Sequence, residues 1–264
     1  MKPLSNRDIA FLKTLTAKAG AMGLRMQKKG LSVSRKEDDS IVTQADLALQ
    51  DFIVANLRKR FRGIRLIYEE KKSYPSGNAG GELTAVIDPI DGTAVYTMGL
   101  PTWCVSLGLF YGCEPAYGFV FSPGSDMFFW NDHLHSYLNG RVLTADRKMP
   151  VDSETNIFYA SGVEHEFKIL FPGKIRNLGS TALHACLTAD NARNRTLAFI
   201  GMSSLWDWAG AIPVILKAGG TVRYLSGRDV DYKEVFDNAF TFPEWLLSFS
   251  AEDFTSLQRI FVRM

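Results

Sequence analysis

The sequence has little of what several common kinds of site require. Its 264 residues include three cysteines, too far apart in the chain for a zinc site or a disulfide framework. Of its four histidines, His133 and His135 are the closest pair, and we expect them on an exposed strand edge or turn. Neither a G-x-S-x-G motif nor a P-loop occurs. These absences argue against a structural zinc site, a serine hydrolase of the α/β type and a P-loop nucleotidase.

Charge and apolar runs argue against two further classes. Thirty basic and 28 acidic residues leave a net charge of +2, which gives no electrostatic reason to expect nucleic acid or a membrane surface as partner. No apolar run approaches the roughly 20 residues that span a bilayer, and the N-terminal segment lacks the apolar core of a signal peptide. Because few, widely spaced cysteines are typical of a reducing compartment, we predict a cytoplasmic protein.

Hydrophobic spacing predicts two N-terminal helices, each preceded by a capping box, Ser5–Asp8 for the first and Thr43–Asp46 for the second. Apolar runs with short turns then predict antiparallel strands, and Asn139-Gly140 is a strong hairpin signal. Strands and helices alternate in the rest of the chain. We therefore predict an α+β N-terminal lobe over residues 1–148 and an α/β C-terminal lobe over residues 149–264.

The segment Asp88-Pro89-Ile90-Asp91-Gly92-Thr93 is the strongest chemical signal. An apolar run, Leu83–Ile87, precedes it and predicts a buried strand. We expect the strand to end at Asp88, because Pro89 has no N–H for a ladder and restricts the residue before it. Asp88 and Asp91 would then turn toward one point, where their repulsion favours a bound cation, above all Mg²⁺. The alternative from the residues alone is an Asp-Pro turn in a surface loop.

Two more acidic positions follow or begin predicted elements. Glu69-Glu70 comes directly after the apolar run Ile64–Tyr68, again at a strand end. Asp207 lies near the start of a helical pattern, where the helix dipole favours a negative charge. Taken singly, a solvated loop accounts for the glutamates and a helix cap accounts for Asp207.

Together these motifs resemble the inositol monophosphatase family of Mg²⁺-dependent, lithium-sensitive phosphatases. Three motifs match in the family's order, namely Glu69-Glu70, the D-P-[IL]-D-G-[TS] signature at Asp88–Thr93, and W-D-x-A-G-A at Trp206–Ala211, and the last two are specific. Three looser matches are Lys36–Asp46, Tyr137–Arg141 and Leu178–Ala182. The resemblance spans nearly the whole chain. It implies a layered α-β-α-β-α sandwich of the inositol monophosphatase and fructose bisphosphatase type, with the site between the lobes.

The resemblance also implies the site's residues. Glu69, Asp88 and the Ile90 carbonyl would hold one Mg²⁺, and Asp88, Asp91 and Asp207 a second. Glu69 would act as base on the attacking water with Thr93, while Lys36 would approach the phosphate or a third metal position. The substrate would be held by these positions: Asp91, Gly92, Thr93, Gly179, Ser180, Thr181 and Asp207.

The expected chemistry is hydrolysis of a small phosphate monoester by metal-activated water and in-line displacement, with two or three Mg²⁺ ions. Mn²⁺ is the expected substitute, Li⁺ and Ca²⁺ the expected inhibitors, and a homodimer fits the family. Where inositol-processing members carry an acid, the corresponding position here falls near Ile200, and Tyr68 stands where the family usually has a small residue. The substrate therefore stays open among inositol phosphate or a related sugar or polyol phosphate, 3′-phosphoadenosine phosphate, histidinol phosphate and fructose bisphosphate. A non-catalytic, metal-binding regulatory homologue is the second class.

Overall fold

A computed structural model describes residues 3–29, 33–35, 41–70 and 83–264 of the chain. The α-helices in these ranges are α1 (Asn6–Lys29), α2 (Gln44–Arg60), α3 (Thr93–Thr97), α4 (Val163–Glu166), α5 (Thr181–Leu187), α6 (Asn191–Asn194), α7 (Leu205–Ala209), α8 (Ala211–Lys217), α9 (Tyr232–Asp237) and α10 (Phe254–Gln258). The strands are β1 (Val33–Arg35), β2 (Ile41–Thr43), β3 (Arg65–Tyr68), β4 (Leu83–Asp91), β5 (Cys104–Tyr111), β6 (Glu114–Ser122), β7 (Met127–Asn131), β8 (Ser136–Leu138), β9 (Arg141–Leu143), β10 (Asn156–Tyr159), β11 (Phe167–Ile169), β12 (Lys174–Arg176), β13 (Thr196–Gly201), β14 (Thr221–Tyr224), β15 (Leu246–Phe249) and β16 (Phe261–Arg263).

Two large sheets organise the chain. A seven-stranded sheet has the order β3-β4-β5-β6-β7-β8-β9, and a five-stranded sheet has the order β12-β10-β13-β15-β14. In the first sheet only β3 and β4 are parallel, so the carboxyl ends of these two strands meet at the same edge. Glu69, which comes directly after β3, and Asp88, near the end of β4, are therefore neighbours at that edge.

Three hydrophobic clusters join the sheets and helices into five layers. Helices α1 and α2 cover one face of the seven-stranded sheet, through side chains such as Leu12 and Leu49. The opposite face packs on α5, α7 and α8, which also contact Phe199 of the five-stranded sheet. The far face of that second sheet packs on α10 and on the β11–β16 pair. The predicted α-β-α-β-α architecture is therefore what the burial pattern shows.

Local signals predicted several element boundaries correctly. Thr43 accepts hydrogen bonds from the first turn of α2 and Asp46 bonds back to the Thr43 amide, which completes the predicted capping box. Asn139 and Gly140 connect β8 to β9 with φ angles of 50° and 83°, as the left-handed turn of a tight hairpin requires. Such signals succeed because a few neighbouring residues decide them.

The expected end of the strand at Asp88 is wrong. Strand β4 continues to Asp91, with a register shift between Asp88, which pairs with Ser106, and Asp91, which pairs with Cys104. One extra residue is thus accommodated as a bulge, which is where a central strand tolerates a proline. The helical pattern that begins near Asp207 is likewise divided into two helices, α7 and α8, at Gly210.

The division into lobes of residues 1–148 and 149–264 stays a prediction. Within the described ranges, no helix has the length and apolar character needed to cross a bilayer. The cytoplasmic location also stays a prediction.

Candidate metal centre

Two aspartates of strand β4 and a third from a distant part of the chain meet at the edge of the seven-stranded sheet. One carboxylate oxygen each from Asp88, Asp91 and Asp207 lies within 4.8 Å of the others. Asp88 and Asp91 are buried, whereas Asp207 is half-buried. An all-oxygen group of this spacing suits a hard divalent cation, and the described residues hold no other such group of three acidic, histidine or cysteine side chains.

Burial and mutual repulsion make full ionisation of the three carboxyls unfavourable when no cation is present. Burial raises the pKa of Asp88 well above its usual range, and the charges of Glu69, Asp91 and Asp207 raise it further. Burial also raises the pKa of Asp91 to about 6 and, with the charge of Asp91, that of Asp207 to about 7. A divalent cation would remove this repulsion, because it stabilises the ionised form of each carboxyl.

The bulge in β4 sets the relative positions of Asp88 and Asp91. The Ile90 amide donates to Asp88 Oδ1 at 2.9 Å, which turns that carboxylate back over the bulge. Because Ile90 itself is fully buried, its backbone is held in place by the core. The two aspartates are thus positioned by six consecutive residues and the neighbouring strand β5.

Asp91 is also tied to the start of α5. Its Oδ2 accepts hydrogen bonds from the Ser180 hydroxyl at 2.5 Å and the Ala182 amide at 2.7 Å, and its Oδ1 accepts one from the Thr181 amide at 3.2 Å. The Cys104 thiol adds a weak donor, with Sγ 3.6 Å from Oδ2. These hydrogen bonds favour the ionised carboxylate and counteract the rise in the pKa of Asp91 that burial causes.

Asp207 reaches the site through the capping box of α7. Its Oδ2 accepts from the Ser204 amide at 3.0 Å, so the residue serves as the third helical position of the box and not as the cap itself. The helix is anchored to strand β5 by Ser106, whose hydroxyl donates to the Trp206 carbonyl and accepts from the Gly210 amide, both at 3.3 Å.

Two glycines let the backbone of this region lie directly on the sheet. A Cβ at Gly108 would stand 2.2 Å from the Ala209 carbonyl oxygen, and one at Gly118 would stand 2.0 Å from the Gly210 carbonyl oxygen. No side chain fits in that space. The distance between Asp207 and the β4 pair therefore depends on glycine at both positions.

Glu69 and Thr93 flank the three aspartates. The Glu69 amide donates to the Ile87 carbonyl at 3.3 Å, directly beside Asp88, and the Glu69 charge raises the pKa of Asp88. The Thr93 hydroxyl donates to the Ile90 carbonyl at 3.1 Å and lies 3.4 Å from Asp46 Oδ1. The sequence placed Asp46 in a capping box and in the Lys36–Asp46 motif match, but gave no sign that its carboxylate is fully buried and contacts Thr93.

The predicted substrate positions lie around Asp91. Gly92 and Gly179 are in close contact, since a Cβ on Gly92 would stand 2.8 Å from the Gly179 carbonyl oxygen. Both adopt positive φ angles, 93° and 91°. Ser180 is fully buried and Thr181 half-buried, so Ser180 faces Asp91 and not an open cleft. Lys36 lies outside the described residues.

The structure also shows the surroundings of three other residues that the sequence analysis discussed. Ile200 is fully buried in the cluster beneath the five-stranded sheet, so its side chain belongs to the core. Tyr68 packs, partly buried, against the cluster of α1 and α2. His133 lies in the turn after β7, as expected, with Nδ1 2.7 Å from the Tyr117 hydroxyl.

Fold and site together define a phosphatase class. The chain belongs to the inositol monophosphatase family, whose sequence model matches residues 6–245. It is therefore a phosphatase of that family.

Individual relatives agree with this assignment. The inositol monophosphatase of Mesembryanthemum crystallinum is 29% identical over 254 residues, covering 87% of this chain and 89% of that protein. The fructose-1,6-bisphosphatase/inositol-1-monophosphatase of Aquifex aeolicus is 28% identical over 203 residues, covering 72% and 74%. The extragenic suppressor protein SuhB of Bartonella henselae superposes with a TM-score of 0.80 at 21% identity, covering 97% and 98% of the two chains. The predicted family and fold class are confirmed.

Proposed function

We propose that this protein hydrolyses a small phosphate monoester with Mg²⁺ at the centre formed by Asp88, Asp91 and Asp207. The observation that carries the proposal is the meeting of these three carboxylates within 4.8 Å, beside Glu69. Their oxygens fit Mg²⁺, because the described residues offer no nitrogen or thiolate ligand in the group. When bound, Mg²⁺ would lower the pKa of a coordinated water and neutralise phosphate charge.

The chain's own groups divide the work as follows in our proposal. Glu69, Asp88 and the Ile90 carbonyl hold one cation, and Asp88, Asp91 and Asp207 hold the second. Thr93 orients the attacking water, and Glu69 takes up its proton. The support for Thr93 is its hydroxyl, which already lies between the Ile90 carbonyl and the buried Asp46.

Backbone amides would hold the substrate phosphate. Gly92 is the cap residue of α3 and, as a glycine, supplies no side-chain oxygen to the first amides of this helix. Lys36 would approach the phosphate from the segment that precedes α2. Both roles follow the family resemblance.

Phosphate release from a panel of monoesters tests the proposal. The panel contains inositol 1-phosphate, fructose 1,6-bisphosphate, 3′-phosphoadenosine 5′-phosphate and histidinol phosphate, each assayed with Mg²⁺ and with EDTA. We expect at least one substrate to be hydrolysed with Mg²⁺ and none with EDTA, and we expect Mn²⁺ to replace Mg²⁺. Li⁺ and Ca²⁺ should inhibit. If the folded protein releases phosphate from none of these monoesters, the result would favour the alternative, a metal-binding regulatory homologue without turnover.

The substrate itself is the finer part of the proposal. We favour an inositol phosphate or a related sugar or polyol phosphate, because the relatives named above carry these activities in their names. Ile200 gives no hydroxyl contact, since its side chain is in the core.

A further inference from the structure

A buried histidine lies behind the loop that holds Asp91. His184, in α5, is 1% exposed, and its ring stacks between Phe158 and Phe199, with centroid distances of 5.1 and 5.0 Å. Its Nε2 is 2.6 Å from the amide nitrogen of Leu178. No motif in the sequence marks His184 as part of the site.

The hydrogen bond to Leu178 defines the state of the ring. Because an amide can only donate, Nε2 of His184 must be the acceptor, so the proton of the neutral ring is on Nδ1. Burial lowers the pKa of His184 to about 3, which keeps the ring neutral near pH 7. Nδ1 has no hydrogen-bond partner among the described residues.

An unpaired, buried N–H is unfavourable, and a phenylalanine in this aromatic stack would avoid it. The ring's one polar interaction among the described residues is the bond from the Leu178 amide. We take that acceptor function as the reason for an imidazole at this position.

Both backbone polar groups of Leu178 are held by side chains. Its amide donates to His184, and its carbonyl accepts from the Thr102 hydroxyl at 2.6 Å. The next residue, Gly179, lies against Val95, since a Cβ there would stand 2.3 Å from Val95 Cγ1. These contacts fix the direction of the backbone as it reaches Ser180.

Ser180 and the two residues after it supply the three strongest donors to Asp91. We propose that His184 is a positioning residue for Asp91, acting through the Leu178 amide on the loop that presents these donors. The inference rests on the proposed function in one respect, that Asp91 is a ligand of the metal. It makes no use of the identity of the substrate.

Two substitutions distinguish an acceptor from a space-filling ring. His184→Phe keeps the aromatic stack and removes the acceptor, whereas His184→Gln loses the stack and offers a carbonyl oxygen to Leu178. Mg²⁺ affinity is measured by calorimetry with the metal alone, and amide hydrogen exchange is measured over residues 178–182. Thermal unfolding reports stability separately.

We expect His184→Phe to weaken Mg²⁺ binding about 10-fold, the low end for loss of a group that supports a metal ligand. Exchange of the Thr181 and Ala182 amides should quicken, although the unfolding temperature stays near that of the wild type. His184→Gln should unfold at a lower temperature yet bind Mg²⁺ more tightly than the Phe variant. If His184 only filled space, the less stable Gln variant would not bind Mg²⁺ more tightly than the more stable Phe variant.

The opposite ranking would overturn the inference, as would wild-type Mg²⁺ affinity and exchange in His184→Phe. If neither variant folds, Thr102→Val removes the other support of the Leu178 peptide from a half-buried position. Unchanged affinity and exchange in that variant would equally overturn it. Wild-type protein that binds Mg²⁺ but hydrolyses no monoester contradicts the proposed function, and the binding and exchange results still decide the role of His184.

Discussion

The two halves of the candidate centre are held in place by different means. Asp88 and Asp91 lie on one bulged strand, and their spacing is set by the bulge and by pairing with β5. Asp207 arrives on a separate helix, and its position depends on close packing of that helix on Gly108 and Gly118. The comparison teaches that the spacing of the first two acids is set within one strand and its neighbour, although the α5 donors also hold the Asp91 carboxylate, whereas the position of the third depends on the packing of a whole helix.

We expect the largest effect from substitution of one of the two aspartates on β4. Asp88→Asn removes the ligand that we propose both cations share, and we expect the loss of about 4 kcal/mol of transition-state stabilisation to lower the rate of phosphate release about 10³-fold or more. In EDTA the same variant should unfold at a higher temperature than the wild type, because one of several mutually repelling buried carboxyls has become neutral.

Asp126→Asn is the matched control for Asp88→Asn. Asp126 is exposed in a turn at a φ of 50°, which asparagine adopts readily, so activity and stability should stay near wild type. Undiminished turnover in Asp88→Asn would remove Asp88 from the site.

The position of Asp207, the acid carried by α7, should respond to a substitution that alters none of the proposed metal ligands. Gly108→Ala places a methyl group 2.2 Å from the Ala209 carbonyl oxygen, and we expect a loss of about 1–3 kcal/mol of unfolding free energy. Because the helix must move to make room, Mg²⁺ binding should weaken as well. Chemical denaturation and calorimetry measure the two effects.

Gly63→Ala is the control for Gly108→Ala. Its Cβ would meet nothing within 4 Å, and only the positive φ of 77° opposes the substitution. It should lower stability by about 1 kcal/mol and leave Mg²⁺ affinity unchanged. Equal Mg²⁺ affinity in the two variants would contradict the dependence of Asp207 on packing.

The response to pH should be of intermediate size and involve both halves. The pKa values of Asp91, about 6, and Asp207, about 7, lie above the ordinary value of 3.8. Between about pH 4 and pH 7 the folded protein then binds more protons than the unfolded chain, so in EDTA its free energy of unfolding falls as pH rises through this window.

Excess Mg²⁺ should reverse that trend, because the ion binds the ionised carboxylates and its affinity rises with pH. Thermal unfolding from pH 4 to 8, with and without Mg²⁺, makes the measurement. A free energy of unfolding in EDTA that rises steadily from pH 4 to pH 7 would contradict the raised pKa values of these carboxyls.

The smallest effect is expected at Cys104, whose thiol is the weakest of the donors to Asp91. Cys104→Ala should weaken Mg²⁺ binding by about threefold or less, because the three other hydrogen bonds to Asp91 remain. Cys104→Ser, which restores a donor of similar size, should bind Mg²⁺ at least as well as the wild type. A loss of Mg²⁺ affinity well beyond threefold in Cys104→Ala would mean that the thiol does more than support Asp91.

Sequence reasoning succeeded where a few neighbouring residues carry the information. The capping boxes, the Asn139-Gly140 hairpin and the acidic motif are of this kind, and the family and layered fold followed from motifs in order. It was wrong at Pro89, because continuation of β4 depends on the pairing of Asp91 with Cys104. That pairing lies beyond the reach of a local rule about proline.

Residues that support the site were missed for a related reason. Asp46 satisfied a capping pattern by itself, and nothing in its neighbourhood shows that its carboxylate also meets Thr93. Ser106 and His184 lie within apolar segments, where a single polar residue gives no signal of its partner. Their roles depend on residues from 6 to 104 positions away.

The amino-acid sequence by itself determined the chemistry, since the carboxylates, the Gly-Thr step and the order of the motifs are readable without coordinates. Only the tertiary structure decided that Asp207 stands within 4.8 Å of the β4 pair and that Asp91 is held by α5. The physical reason is that these distances are set by backbone contacts between segments far apart in the chain. These distances depend on how whole layers pack against one another, and no local pattern of residues encodes them.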